Sequence, residues 1–127
     1  MGGEAMKILI VDDFATMRKI LKNILKELGY TDLLEAEDGQ AALEILRREK
    51  VDLVISDWNM PNMDGLSLLK AIRSDEALKD TPVLMVTAEA QKQNVLEAVK
   101  AGVNNYVVKP FTPEVIQEKI SKIFASR

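Results

Sequence analysis

Five polar residues stand at the ends of apolar runs. Asp12 and Asp13 follow ILIV, Asp57 follows VIS, Thr87 ends VLMVT, and Lys109 closes YVVK before Pro110. Singly, each has an ordinary structural role: Asp12 or Asp13 as a helix cap, Asp57 as the start of a turn, Thr87 as a strand residue, Lys109 as a solvated loop lysine. If the runs are neighbouring parallel strands, three carboxylates, one hydroxyl and one ammonium converge on one sheet edge, and the ordinary roles require independent coincidences. Carboxylates crowded together raise one another's pKa, and a divalent ion removes that penalty. All-oxygen ligation without His or Cys selects a hard cation, and Mg²⁺ is usually held by one or two carboxylates, waters and a phosphate oxygen. A carboxylate is also a nucleophile for phosphoryl transfer, giving an acyl phosphate. The ion and Lys109 would then offset charge on the transferring group. Asp57 is the expected nucleophile, because it has its own strand and the sharp loop WNMPNMDG after it.

Composition narrows the chemistry further. The 127 residues, 47% hydrophobic and 29% charged, suit one compact domain, which at this length buries roughly two-thirds of its unfolded surface. Seventeen Lys and Arg against twenty Asp and Glu give a net charge of -3, without the basic excess of a nucleic-acid binder. The absence of Cys removes disulfides and thiol nucleophiles, and the absence of His removes the commonest general base. No apolar stretch is long enough to span a bilayer and no signal-peptide pattern opens the chain, so the expected compartment is the cytoplasm. Met1 to Ala5 read as an extension outside the fold, an expression scar or an alternative start, and residues 6–127 as one domain.

Five short apolar runs predict strands: Lys7 to Val11, Leu33 to Ala36, Asp52 to Ser56, Val83 to Thr87 and Tyr106 to Lys109. Three of them lack in/out alternation, as strands covered on both faces should. Between them lie helical patterns. Met17, Ile20, Leu21, Ile24, Leu25 and Leu28 recur at helical spacing, with Gly29 as a stop. The last helix opens with Thr112 as N-cap, Pro113 at the first position and Glu114 in the first turn. Weaker patterns cover about Gly39 to Arg47, Gly65 to Ser74 and Gln91 to Lys100, the third stopping at Gly102. One crossover helix fits between successive strands, which predicts an α/β fold with a parallel sheet covered on both faces. Ligands of such sheets bind outside the carboxyl ends of the strands.

These residues resemble the receiver domain of two-component response regulators. The resemblance rests on VDDF, SDWNMPNMDG, LMVTAEA and NNYVVKPFT and covers nearly the whole chain from Met6, with the single-domain chemotaxis regulators as the nearest kind. It implies a flavodoxin-like doubly wound sheet of five strands in order 2-1-3-4-5 with five helices. Asp57 would accept a phosphoryl group from the phosphohistidine of a chemotaxis histidine kinase. Asp13, Asp57 and the backbone carbonyl of Asn59 would hold Mg²⁺, with Asp12 acting through a metal-bound water, and Thr87 and Lys109 would contact the phosphoryl oxygens. A cis bond between Lys109 and Pro110 is implied too. Tyr106 would move between exposed and inward rotamers, and Lys92, Val95, Tyr106 and Lys119 would form a face for a flagellar motor switch protein. On the residues alone, these four are a half-buried Tyr, two solvated lysines and a helix-face Val. A dedicated phosphatase is a further implied partner, and the chain is expected to act as a monomer, without nucleic acid or membrane insertion. Asn105 departs from the many chemotaxis regulators that carry Gly there.

Three rival readings are weighed against this one. A hydrolase with an Asp nucleophile typically carries a second Asp two residues on as acid and base, and Asn59 cannot relay a proton. A flavin or nucleotide carrier would need a Gly- or Ser/Thr-rich phosphate loop after the first strand, where Asp12 and Asp13 would repel a phosphate. A stand-alone receiver acting as phosphate sink or relay intermediate differs only in output. The expectation is a receiver, and not a conventional enzyme, that promotes its own Mg²⁺-dependent phosphorylation and slow self-dephosphorylation. With little chain after the last helix, output is expected through binding another protein.

Overall fold

In a computed structural model, residues 6–88 and 92–125 are described, those at 92 and 93 by their backbone alone. The expectation for Met1 to Ala5 falls outside the described residues. Strands and helices alternate: β1 (Lys7–Val11), α1 (Ala15–Glu27), β2 (Asp32–Ala36), α2 (Gly39–Arg48), β3 (Leu53–Asp57), α3 (Gly65–Ser74), β4 (Val83–Thr87), α4 (Lys92–Lys100), β5 (Asn105–Val108) and α5 (Pro113–Ala125). Every strand pair is parallel, and the order β2-β1-β3-β4-β5 is the flavodoxin-like one.

The apolar runs of β1, β3 and β4 are continuous because helices cover both sides of these central strands. On one side Leu9, Val11, Val54, Val83 and Met85 pack with α2 and α3 through Leu43, Leu46, Leu68 and Ile72. On the other, Ile8, Ile10, Leu53, Ile55, Leu84 and Val86 pack with α1 and α5 through Leu21, Leu25, Ile116 and Ile120. Alternate residues of one strand thus serve separate cores. The edge strands β2 and β5 keep exposed positions.

Local chemistry sets the helix ends. Gly29, at φ 101°, ends α1 in a double turn in which its amide donates to Lys26 O and the Tyr30 amide to Leu25 O. Gly102, at φ 94°, closes α4 in the same way. Asp38 and Asp64 cap α2 and α3 by accepting from the Ala41 and Ser67 amides. The Thr112 hydroxyl accepts from Val115 N at 3.3 Å, as its N-cap position predicts.

Two strand ends differ by one residue from the sequence reading. Asp57 is the last residue of β3 and not the first beyond it, because it lies in register with Val86 of β4. Lys109 lies one residue past β5, although its amide still donates to Thr87 O at 2.8 Å. The Lys109–Pro110 bond is cis, as the resemblance implied.

At the opposite pole, Arg73 in the last turn of α3 gathers the loops that feed β4 and β5. Its guanidinium donates to Gly102 O at 2.8 and 3.0 Å, to Lys79 O at 3.0 Å, to Thr81 O at 2.7 Å and to Asn104 Oδ1 at 2.9 Å. Asn104 Oδ1 in turn accepts from Val83 N at 2.7 Å.

Gly65 opens α3 directly against the end of β3. A Cβ there would collide with the Asp57 carbonyl oxygen and lie 2.9 Å from Met85 Sδ. Backbone and a buried Met cannot retreat cheaply, so Gly65→Ala should cost about 1–3 kcal/mol by overpacking. Urea unfolding should show a lower midpoint with an unchanged slope, and a wild-type midpoint would contradict the contact.

Candidate metal and phosphoryl site

Parallel pairing places the carboxyl ends of β1, β3, β4 and β5 at one pole. There Asp12, Asp57 and Thr87 are all buried, at 1%, 7% and 6% exposure, although unpaired carboxylates are almost never found inside. One carboxylate oxygen from each of Asp12, Asp13 and Asp57 lies within 4.8 Å of the others. Lys109 Nζ reaches into the same space, 3.4 Å from Asp57 Oδ1 and 3.9 Å from Asp12 Oδ2. Thus the structure brings together Asp12, Asp13, Asp57 and Lys109, and Thr87 is buried at the end of β4, one residue beyond the partner of Asp57 in the sheet.

Their hydrogen bonds are incomplete in one telling place. Asp12 Oδ1 accepts from Phe14 N at 2.9 Å, and Asp57 Oδ1 from Trp58 N at 2.8 Å. Asp13 Oδ1 is buried without a partner among the described residues. An orphaned carboxylate oxygen beside two further carboxylates suits a hard divalent cation. Neither Asp12 nor Asp13 caps α1, whose N-cap Phe14 offers no side-chain acceptor. Asn59 follows one residue after Trp58 with an exposed side chain.

Burial raises the pKa of Asp57 above the ordinary carboxylate value, and Lys109 and the Trp58 amide oppose that rise. Burial likewise raises Asp12, opposed first by the Phe14 amide, while the Asp57 charge pushes it further up. Both shifts have the same origin: negative charge removed from water, offset in part by Lys109.

The brace behind β1 was not foreseen. Arg18 on α1 donates to the Asp12 carbonyl at 2.6 Å and to Glu35 at 2.8 Å, and Lys22 holds the other Glu35 oxygen at 2.9 Å. The acidic β1–α1 turn is thereby fastened to β2. Its sequence signal is a pair of basic residues four apart on α1 facing an acid on the neighbouring strand.

Of the residues expected to meet a partner, Lys119 Nζ stands 5.7 Å from the centre of the Tyr106 ring. Tyr106 and Val95 are half-buried, on β5 and α4. The side chain of Lys92 lies outside the described residues. Asn105 Oδ1 accepts from Tyr106 N at 2.8 Å, a bond that Gly could not supply. No helix among the described residues is long and apolar enough to cross a membrane.

A doubly wound sheet with an acidic cluster and a lysine at its carboxyl pole has its polar groups where open α/β sheets bind ligands. The sequence matches the response regulator receiver domain over residues 8–121, and the chain belongs to that family. It is 60% identical over 119 residues to the chemotaxis protein CheY of Pseudomonas aeruginosa, covering 94% of this chain and 96% of that protein. It is 57% identical to the chemotaxis protein CheY-3 of Vibrio cholerae over 119 residues, covering 94% and 92%. The solved structure of the chemotaxis response regulator CheY4 of Vibrio cholerae superposes with a TM-score of 0.86 at 35% identity, over 93% of this chain and 98% of that one.

The raised carboxylates make a prediction about stability. A group whose folded pKa is raised keeps its proton in the folded state at a pH where the unfolded chain has released it. Without metal, stability should therefore fall as pH rises from the ordinary carboxylate value through the raised values of Asp12 and Asp57, and stay reduced above them. In a chelator at pH 7, Asp57→Asn should melt above the wild type, and Mg²⁺ should raise the wild-type midpoint more than that of the variant. Circular dichroism melts measure both; a lower midpoint for Asp57→Asn in chelator would count against buried repulsion.

Proposed function

We propose that the chain is the phosphorylation-activated signalling protein of a chemotaxis two-component system, acting in the cytoplasm through a receiver domain at residues 6–127. The observation that carries this reading is Asp57, buried at a strand end with Lys109 Nζ at 3.4 Å and the partnerless Asp13 oxygen beside it. Identity of 60% to a chemotaxis protein supports the choice of pathway.

In the proposed reaction an oxygen of Asp57 attacks the phosphorus of a kinase phosphohistidine. The new O–P bond forms as the P–N bond breaks, and its electron pair leaves with the imidazole nitrogen, yielding an acyl phosphate on Asp57. Lys109 would pair with the transferring oxygens, and the Thr87 hydroxyl would donate to them. Asp12, Asp13, Asp57 and the Asn59 carbonyl would hold Mg²⁺, which when bound neutralises charge between carboxylates and phosphoryl group. Asn59 cannot act as a proton relay, so the acyl phosphate persists long enough to signal. A histidine kinase, a motor switch protein and a dedicated phosphatase are the partners of this reading.

Output follows from the far end of β5. A phosphoryl group adds charge and acceptors at the strand ends. Movement of Thr87 toward it would vacate space into which Tyr106 turns, changing the face that carries Val95, Lys92 and Lys119. The coupling between the sites is on the order of 1–3 kcal/mol, as for other bistable switches.

Two measurements test the reading. Acetyl phosphate with Mg²⁺ should add one phosphoryl mass to the wild type, while Asp57→Asn should lose most of the labelling; full labelling of the variant would refute the choice of nucleophile. A beryllofluoride mimic should raise affinity for a peptide from the motor switch about 5- to 150-fold, and Tyr106→Ala should lose most of that gain. An unchanged wild-type affinity would favour the phosphate sink or relay instead.

A further inference from the structure

The loop Trp58–Asp64, which carries Asn59, is clamped at both ends. At its base the Gly65 amide donates to Trp58 O at 2.7 Å. Near its tip, Met63 N donates to Pro61 O at 2.7 Å across Asn62, closing a three-residue turn. Asn62 sits at φ 65°, in the left-handed region that side chains other than Gly avoid and that Asn tolerates best. A γ-turn with positive φ is strained and persists where other contacts hold it.

Those contacts come from the amino end of α2. Asp38, 8% exposed, divides its two oxygens between two tasks. Oδ1 accepts from Ala41 N at 2.9 Å and caps α2, while Oδ2 accepts from Asn62 Nδ2 at 2.8 Å. The next amide, Gly39 N, donates to Met63 O at 3.1 Å. The fit is tight enough that a Cβ on Gly39 would lie 2.6 Å from Met63 Cγ. The Ala41 amide, and then Asn62, hold the Asp38 carboxyl below its ordinary range, which keeps it a charged acceptor.

Asn59 stands between the two clamps, with three residues to Asn62 and one to Trp58. We propose that Asp38 is a positioning residue for the metal centre: through its hydrogen bond to Asn62 it fixes the loop that presents the Asn59 carbonyl, and so sets the affinity for Mg²⁺. This rests on the reading that Asp12, Asp13, Asp57 and the Asn59 carbonyl hold the ion. Groups that orient metal ligands without touching the metal commonly govern affinity in this way.

The two tasks of Asp38 can be separated. Ser is as good an N-cap as Asp, so Asp38→Ser keeps the cap but is too short to accept from Asn62 Nδ2. Exchanging donor and acceptor in Asp38→Asn/Asn62→Asp keeps the bond with its polarity reversed, and Asp tolerates the left-handed position. Mg²⁺ affinity of the full chain, followed by Trp58 emission and independently by calorimetry, should fall about tenfold in Asp38→Ser and stay near wild type in the double variant. Thermal midpoints in chelator should change little for Asp38→Ser. Asn62→Gly, which accepts positive φ without strain yet lacks the amide, should also bind Mg²⁺ more weakly while staying folded.

Wild-type affinity in both Asp38→Ser and Asn62→Gly would overturn the proposal, as would an exchange that lowers affinity to the Asp38→Ser level. Failure of the wild type itself to respond to Mg²⁺ would overturn the metal reading beneath it.

Discussion

Buried negative charge is the constraint around which this domain is arranged. Three carboxylates lie close together at the end of a sheet, two of them almost wholly removed from water, with Lys109 as the neighbouring cation. Such a cluster opposes folding unless the surrounding structure makes its approach unavoidable. The central strands do so. β1 and β3 are held side by side by apolar residues serving both cores, and their last residues must then share one small space.

The same arrangement explains why the loops around the pole are so closely tied. The strands that deliver Asp12 and Asp57 are anchored away from the carboxylates themselves: Asp12 by Arg18 on its carbonyl, and Asp57 by its register with Val86 of β4 and by Gly65 against its backbone. Repulsion therefore cannot relax by moving the chain, and the unused capacity stays at the side chains. That leaves a pole ready to receive positive charge on one side and acceptor oxygens on the other. At the amino pole, by contrast, Arg73 satisfies several carbonyls at once.

Most of the framework was legible because it follows local rules. β1, β3 and β4 are unbroken apolar runs, α1 carries a full helical stripe with Gly29 at its end, and Thr112-Pro113-Glu114 announces α5. The polar strand ends were legible for a related reason: a carboxylate at the end of a buried run has few ordinary explanations once its neighbours carry one too. Strand ends were misplaced by one residue at Asp57 and Lys109 because partner strands decide where pairing stops. The bonds of Asp38 to Asn62, Arg18 to Glu35 and Arg73 to Asn104 were not legible. They join residues 24, 17 and 31 positions apart, and no periodicity encodes such a meeting.

Asp38-Gly39 and Asp64-Gly65 are both dipeptides of the kind that ages chemically, since a glycine amide nitrogen can attack the preceding aspartyl carbonyl to form a succinimide and then isoaspartate. In the fold each of these carboxylates is held by a helix amide, and each glycine N–H is already donated, to Met63 O and to Trp58 O. The caps that start α2 and α3 therefore double as protection of the covalent chain, and the lifetime of these two peptide bonds is governed by how often the domain opens.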